Sequence, residues 1–247
     1  MSVSVVIASR NRELIKERAV SSAYGAAVVI VDDCSDVPYS EGAFRLIRNT
    51  EHRGLAYSRN IGASSAETEY IVHLDDDNEL LPGFLEQAVA YLDSHPEEAA
   101  VAVGKVITYP EGDVYQPPVT EGSMNDGFLM RREAFLDIQC DETLTANEDA
   151  DFGIRFREKY KIGAIHKPLF HAYASPIFNT TSYSDYSNYH LEGLVRFWLK
   201  HKDDQDAPYF KKYIGRMFLL ASGQMRWFRW GYWIQEKLKR YYQIYLA

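Results

Sequence analysis

Through the first half of the chain, short β-branched runs alternate with longer polar stretches, which is the pattern of strands separated by helices. Residues 3–8 (VSVVIA) and 27–31 (AVVIV) flank a helix-like stretch from Arg12 to Ala23. Residues 43–48 (AFRLIR) read as a third strand, 55–66 as a helix built on small residues, and 70–74 (YIVHL) as a fourth strand. A helix over 83–94 leads to a strand over 100–108 (AVAVGKVIT), and a Pro- and Gly-rich loop covers 110–122. A strand over 124–131 (MNDGFLMR) and a helix over 148–160 with acids in its first turn come next. One or two further strands lie in IGAIHKPLFHAYAS, a polar loop covers PIFNTTSYSDYSNY, and helices at about 185–201, 208–225 and 230–246 close the chain. This order predicts an α/β fold: a mostly parallel sheet flanked by helices, with ligands bound beyond the carboxyl ends of the strands.

That geometry changes the meaning of the acids. Asp32 and Asp33 follow the second strand, and Asp75, Asp76 and Asp77 follow the fourth, so two acidic clusters converge on one rim. Three adjacent like charges repel, and burying one of them unpaired costs on the order of several kcal/mol. A cation therefore belongs there, from the protein or from outside it. Hard divalent ions take carboxylate oxygens and share one or two of them with substrate phosphates, so Mn2+ or Mg2+ suits the site. The plainer alternative is a solvated acidic turn ahead of the helix that Pro82 opens. Asp33 has a similar alternative as a turn carboxylate bonding its own backbone. His73, inside an apolar run, reads as a packed side chain.

Composition narrows the partners. The chain has 247 residues, 46% of them hydrophobic, and a net charge of −8, enough for one sizeable core and the wrong sign for nucleic acid as main partner. The charge is unevenly placed: residues 211–247 hold eight Lys or Arg against one acid, Glu236, while residues 1–210 hold 19 basic and 34 acidic residues. Two cysteines, Cys34 and Cys140, form no disulfide framework. With no leader-like start and no apolar run long enough to span a bilayer, the sequence reads as cytoplasmic.

Four segments, in order, resemble glycosyltransferase family 2: VSVVIASRNR, VIVDDCSD, GLAYSRNIGASSAETEYIVHLDDDNEL and NEDADFGIRF. The resemblance covers about residues 3–200 and implies a GT-A (Rossmann-like) catalytic domain over 1–200, with 201–247 as a C-terminal amphipathic helical extension. It implies an inverting, metal-dependent enzyme that moves one sugar from a nucleotide-sugar donor to a glycan or lipid-linked acceptor, in surface polysaccharide assembly. Ala8, Ser9 and Arg10 fall in the family's nucleotide loop, with Ala8 and Arg10 where many relatives carry Thr or Pro and Tyr or Phe. Asp33, with Asp32 beside it, matches the acid that bonds the nucleotide base. Arg59 and Asn60 match a pair near the donor; otherwise Arg59 is a surface salt bridge. Asp77 matches the metal ligand, Asp75 faces ribose or metal, and Asp76 is a spectator between them in the nucleotide site. His171 stands where relatives complete the metal site. Asp149 matches the catalytic base, with Glu148 and Asp151 as substitutes, while helix capping by Asn147 would explain the same acids structurally. Gln224, Arg226 and Trp227 imitate a processive-synthase signature but are one residue too closely spaced, and are read as tail.

Two competing readings are a sugar-nucleotide pyrophosphorylase and a non-catalytic nucleotide- or carbohydrate-binding domain. The first needs a glycine-rich basic loop that IASRNRE lacks; the second is disfavoured by the presence of both Asp77 and the Glu-Asp pair. The tail carries an apolar stripe (Phe210, Tyr213, Ile214, Met217, Phe218, Ala221, Met225, Phe228) that packs on the core, forms a homodimer, or lies on anionic membrane at the inner face. Membrane contact predicts that the full chain co-sediments with anionic vesicles at low salt, that salt releases it, and that a chain ending at Pro208 stays in solution. Failure of the full chain to bind such vesicles at low salt assigns the stripe to core or dimer.

Overall fold

The computed structural model describes residues 2–12, 18–40, 42–109, 112–119, 127–145, 147–173, 196–197 and 200–201. Its elements, in order, are β1 (Val3–Ser9), α1 (Ala19–Ser22), β2 (Ala27–Asp32), β3 (Arg45–Arg48), α2 (Leu55–Ser65), β4 (Tyr70–His73), β5 (Glu79–Leu80), α3 (Phe84–Ser94), β6 (Glu98–Thr108), β7 (Val114–Tyr115), β8 (Phe128–Arg131), α4 (Arg132–Ile138), α5 (Glu148–Lys159) and β9 (Lys161–Tyr173). Among the described residues the strands form one sheet in the order β3-β2-β1-β4-β8-β6-β9-β5, with β7 added beside β6. The long pairings are parallel: β1 with β2 and β4, β2 with β3, and β6 with β9. Short antiparallel pairings join β4 and β6 to β8, β5 to β9 and β7 to β6.

β1 is covered on both faces, which is why its sequence is mostly apolar rather than alternating, with Ser4 and Ser9 as its polar members. Val3, Val5 and Ile7 join Ile30, Tyr70, Val72, Leu74 and the α3 side chains Phe84 and Leu92 in one buried cluster. On the opposite face Val6 packs with Val29 and Val31. There α2 lies so close that a Cβ on Gly62 would come within 2.4 Å of Val6 Cγ1, so glycine sets the helix-to-sheet distance. A further cluster unites α2, α4 and α5 through Ala56, Ala63, Phe135, Phe152 and Phe156. The Phe135, Phe152 and Phe156 rings lie 5.1 and 5.4 Å apart in succession, in tilted contacts typical of aromatic cores. α2 and α5 are thus fixed to each other before any polar contact is counted.

Several boundaries differ from the expectations. α4 was not anticipated, because REAFLDI follows β8 with no Gly or Pro between them. β7 sits inside the expected loop, and β5 inside the stretch read only as the approach to α3. IGAIHKPLFHAYAS yields one long strand, β9, whose register slips beside Gly104, where a Cβ would lie 2.7 Å from the Lys167 carbonyl oxygen. The strand expected over 124–131 is seen over Phe128–Arg131, and of the helix expected over 12–23 the described part is Ala19–Ser22. The polar loop after Ser175, with its sequon at Asn179, and the helices expected at 208–225 and 230–246 lie outside the described residues, as does nearly all of the C-terminal extension. Among the described residues no helix is long and apolar enough to cross a membrane.

Candidate functional site

The parallel register of β1, β2 and β4 brings their carboxyl ends to one edge. Ser9 lies opposite Asp32, and Val6 opposite His73. The Asp33 N–H donates to the Ser9 carbonyl at 2.9 Å, and Ser9 Oγ donates to Asp76 Oδ2 at 2.7 Å. Ser9 therefore stitches the two acidic clusters together, as the alternation of elements predicts. Its single hydroxyl proton is committed to Asp76, so Tyr39 donates to Ser9 Oγ (2.8 Å) and accepts the Arg12 N–H (2.9 Å). Ala8 is half-buried at the end of β1, and Arg10 is exposed beyond it.

Asp32 and Asp33 divide their work. Asp32 is wholly buried, accepts the Ser35 N–H at 2.8 Å and pairs with Arg48. Burial alone would raise its pKa, but the Ser35 hydrogen bonds and the Arg48 guanidinium outweigh it and hold the carboxyl below the usual range. Asp33 reaches across to the loop entering α2: Oδ1 accepts from Asn49 Nδ2 and the Arg53 N–H, and Oδ2 from the Gly54 N–H, each at 2.8 Å. Asp32, not Asp33, is thus the turn carboxylate that bonds its own turn.

Asp75, Asp76 and Asp77 are matched by two guanidinium groups. Arg59, on α2, is buried and forked: Nη2 donates to Asp75 Oδ1 at 3.0 Å and Nη1 to Glu148 Oε1 at 2.9 Å. Burial works against its charge, yet the two carboxylates more than offset this, so its pKa is raised. Arg59 is a buried clamp, not a surface salt bridge. Arg12 stands 3.4 Å from Asp76 and 3.5 Å from Asp77. Both acids are nonetheless raised, by burial first and by their acidic neighbours, with Arg12 opposing.

Glu148 and Asp149 open α5 into contrasting surroundings. Glu148 is buried, and burial, seconded by Asp149, raises its pKa against the pull of Arg59. Asp149 is exposed, with Oδ1 accepting the Ala150 N–H at 2.7 Å. A carboxylate that must collect a proton from an incoming hydroxyl needs that exposure. Asn147 makes no side-chain cap and sits in the left-handed region at φ 59°, so the capping expectation is not met.

Three further candidates are held by contacts of their own. Asp151 is wholly buried among Arg155 Nε (2.8 Å), Lys200 Nζ (2.8 Å) and His201 Nε2 (2.8 Å), so it is not placed to serve as a base. Despite burial, those three partners keep its pKa low. Asn60 is a strut: Nδ2 donates to the Cys140 carbonyl and to Glu142 Oε1, both at 3.0 Å, and Oδ1 accepts the Cys140 N–H at 2.9 Å. His171 sits across from Glu79, with Nδ1 2.9 Å from Glu79 Oε1 and Nε2 2.8 Å from Thr108 Oγ1. Among the described residues no group of three or more His, Cys, Asp or Glu gathers as a metal cage.

The donor chemistry at Asp76 and Asp77 still fits a hard divalent ion. Two oxygen acids, crowded and partly desolvated, hold more negative charge than one loosely placed guanidinium offsets, and Mg2+-type ions need only one or two protein carboxylates. Residues not singled out from sequence are Arg48, Asn49 and Tyr39, which stand in no motif, and Arg12, which closes the VSVVIASRNR segment without being marked as a contact. His73 packs 4.6 Å from the Phe135 ring as expected, with both ring nitrogens shielded and unpartnered; burial first, then Arg59, depresses its pKa well below the ordinary value.

Comparison with known proteins places this geometry. Residues 4–163 match the family model described as Glycosyl transferase family 2. The chain is 28% identical over 195 residues to the succinoglycan biosynthesis protein ExoU of Rhizobium meliloti, an alignment covering 62% of this chain and 56% of ExoU. It is 22% identical over 259 residues to the putative colanic acid biosynthesis glycosyl transferase WcaA of Escherichia coli K12, covering 91% and 90%. The chain thus spans little more than half of ExoU and most of WcaA. The fold matches that of S. aureus TarS 1-349 solved with UDP-GlcNAc, at a TM-score of 0.60 and 20% identity over 71% of this chain and 59% of that one.

Replacing Arg59 by Met leaves Glu148 buried without its countercharge, and urea unfolding should show a loss of about 3–5 kcal/mol, the range for breaking a buried ion pair. Arg59→Lys should recover only part of it, because one ammonium lacks the planar fork. A loss below about 1 kcal/mol for Arg59→Met would place the pair among surface bridges.

Proposed function

The chain belongs to glycosyl transferase family 2, and on that premise we propose that it transfers one sugar, with inversion, from a nucleotide-diphosphate-sugar donor to a glycan or lipid-linked acceptor. The observation that carries this reading is the convergence, through Arg59, of the Asp75–Asp77 rim with the Glu148-Asp149 helix start. It puts Asp75 of the acid rim and the buried Glu148, whose neighbour Asp149 faces water, on the two arms of one guanidinium. TarS, a structural neighbour solved with UDP-GlcNAc, supports a nucleotide-sugar donor. The names of ExoU and WcaA support polysaccharide biosynthesis as the setting.

The chemistry follows from this arrangement. Asp149 accepts the acceptor hydroxyl proton as that oxygen attacks the anomeric carbon from the face opposite the leaving diphosphate, which inverts the centre. Glu148, tied to Arg59, fixes the first turn of α5 so that Asp149 faces outward. Ser9, Arg10, Asp32 and Asp33 shape the nucleotide side, and Asp75 faces the ribose. Asp77 would hold Mn2+ or Mg2+, which offsets charge growing on the leaving diphosphate. The reading goes with a cytoplasmic setting, in which the C-terminal segment packs on the core, forms a homodimer or rests on the inner face of the membrane.

Calorimetry of UDP and other nucleoside diphosphates with Mn2+ should show binding by the wild type that chelator abolishes and that Asp77→Ala loses. Equal, chelator-insensitive affinities in both proteins contradict the metal role of Asp77.

Asp149→Asn should bind donor nearly normally and lose about 10²-fold or more in turnover, the range for removing a general base. Turnover within a few-fold of wild type transfers that role to Glu148.

A further inference from the structure

Arg12 and Arg59 share one acidic cluster but are held very differently. The Arg59 side chain is 11% exposed and locked between two carboxylates; that of Arg12 is 51% exposed, over the Asp76 and Asp77 carboxylates. Its distances of 3.4 and 3.5 Å exceed the roughly 2.7–2.9 Å of a charged hydrogen bond, so the guanidinium balances charge without being fastened. The Arg12 backbone, by contrast, is tethered. Its N–H donates to Tyr39, Tyr39 to Ser9, and Ser9 to Asp76, one continuous chain of hydrogen bonds. Arg18, another cation near the cluster, lies 3.8 Å above the Tyr173 ring and reaches the Asp77 backbone carbonyl.

We propose that Arg12 is a resident counter-cation of Asp76 and Asp77, displaced by an arriving divalent ion and then transferred to the donor's diphosphate. This rests on the donor and metal reading above. A doubly charged ion in direct contact with a carboxylate oxygen would outcompete a single delocalised charge at salt-bridge distance, and the two cations would repel if both remained. The released guanidinium keeps its anchored backbone, so its fork stays within a side-chain length of the rim. A planar fork suits phosphate oxygens better than it suits two separate carboxylates. Arg12 would thus oppose the metal in the empty site and favour the diphosphate in the loaded one. A residue with a merely structural role would move both affinities in the same direction.

The test is titration with Mn2+ alone, followed by inorganic pyrophosphate at saturating Mn2+, on the full chain as wild type, Arg12→Gln, Arg12→Lys and Asp77→Ala. Free Mn2+ is read by electron paramagnetic resonance and pyrophosphate by calorimetry. Arg12→Gln should bind Mn2+ about 3- to 10-fold more tightly and pyrophosphate about 10-fold more weakly than wild type, the scale of one partly screened charge contact. Arg12→Lys, which keeps a charge without the fork, should fall between them and serves if Arg12→Gln does not fold. Mn2+ affinity unchanged or weakened in both Arg12 variants, with Asp77→Ala still losing Mn2+, overturns this proposal alone. A wild type that binds no Mn2+ overturns the metal reading and this proposal together.

Discussion

A guanidinium taken out of water has to be met by carboxylates at bonding distance, and around Arg59 that requirement organises the molecule. Its two arms reach Asp75 at the end of β4 and Glu148 at the start of α5, residues 73 positions apart in the chain. Neither acid could be buried to its present extent without that charge, and Arg59 could not be buried without them. The neighbouring contacts work in the same direction. Asn60, the next residue of α2, holds the Cys140–Glu142 segment, while Arg155 of α5 donates to the carbonyls of Ile138 and Gln139. The approach to α5 is therefore pinned from both helices, above an aromatic cluster that already packs them together.

The electrostatic pattern on the rim is one of graded exposure. Asp32 and Glu148 are buried and paired with Arg48 and Arg59, Asp76 and Asp77 are half-buried under a loosely placed Arg12, and Asp149 faces water. Fixed pairs hold the scaffold in register; the loosely compensated pair leaves oxygen atoms available to a ligand cation; the exposed carboxylate is free to meet a hydroxyl. One stretch of like charge can serve three purposes because the sheet edge gives each member a different distance from solvent.

Much of this was legible in the chain. The β-branched runs placed β1, β2 and β4 correctly, and parallel connection then put Asp32, Asp33 and Asp75 to Asp77 on a common edge. Small residues in α2 announced its close packing, which Gly62 makes explicit. What stayed hidden were pairings between residues far apart in sequence. Nothing near Arg59 signals Glu148, nothing near Asp33 signals the Gly54 N–H, and Asp151 looked like a spare base until Lys200 and His201 closed around it. The Glu79 and Thr108 partners of His171 follow from the short β5–β9 pairing, which two residues of strand could not advertise. α4 was missed because a helix that starts directly on a strand end has no loop to mark it.

The central claim is that one guanidinium couples Asp75 of the acid rim to the helix that opens with Glu148 and Asp149. A double-mutant cycle measures that coupling directly. Asp75→Asn, Glu148→Gln and the double variant would be compared by urea unfolding, first with Arg59 present and then in an Arg59→Met background. Coupling through Arg59 predicts a non-additive term of about 0.5–3 kcal/mol in the first cycle that disappears in the second. Additivity within about 0.3–0.5 kcal/mol in both backgrounds would show that Asp75 and Glu148 are merely neighbours of the same residue, and would contradict the account.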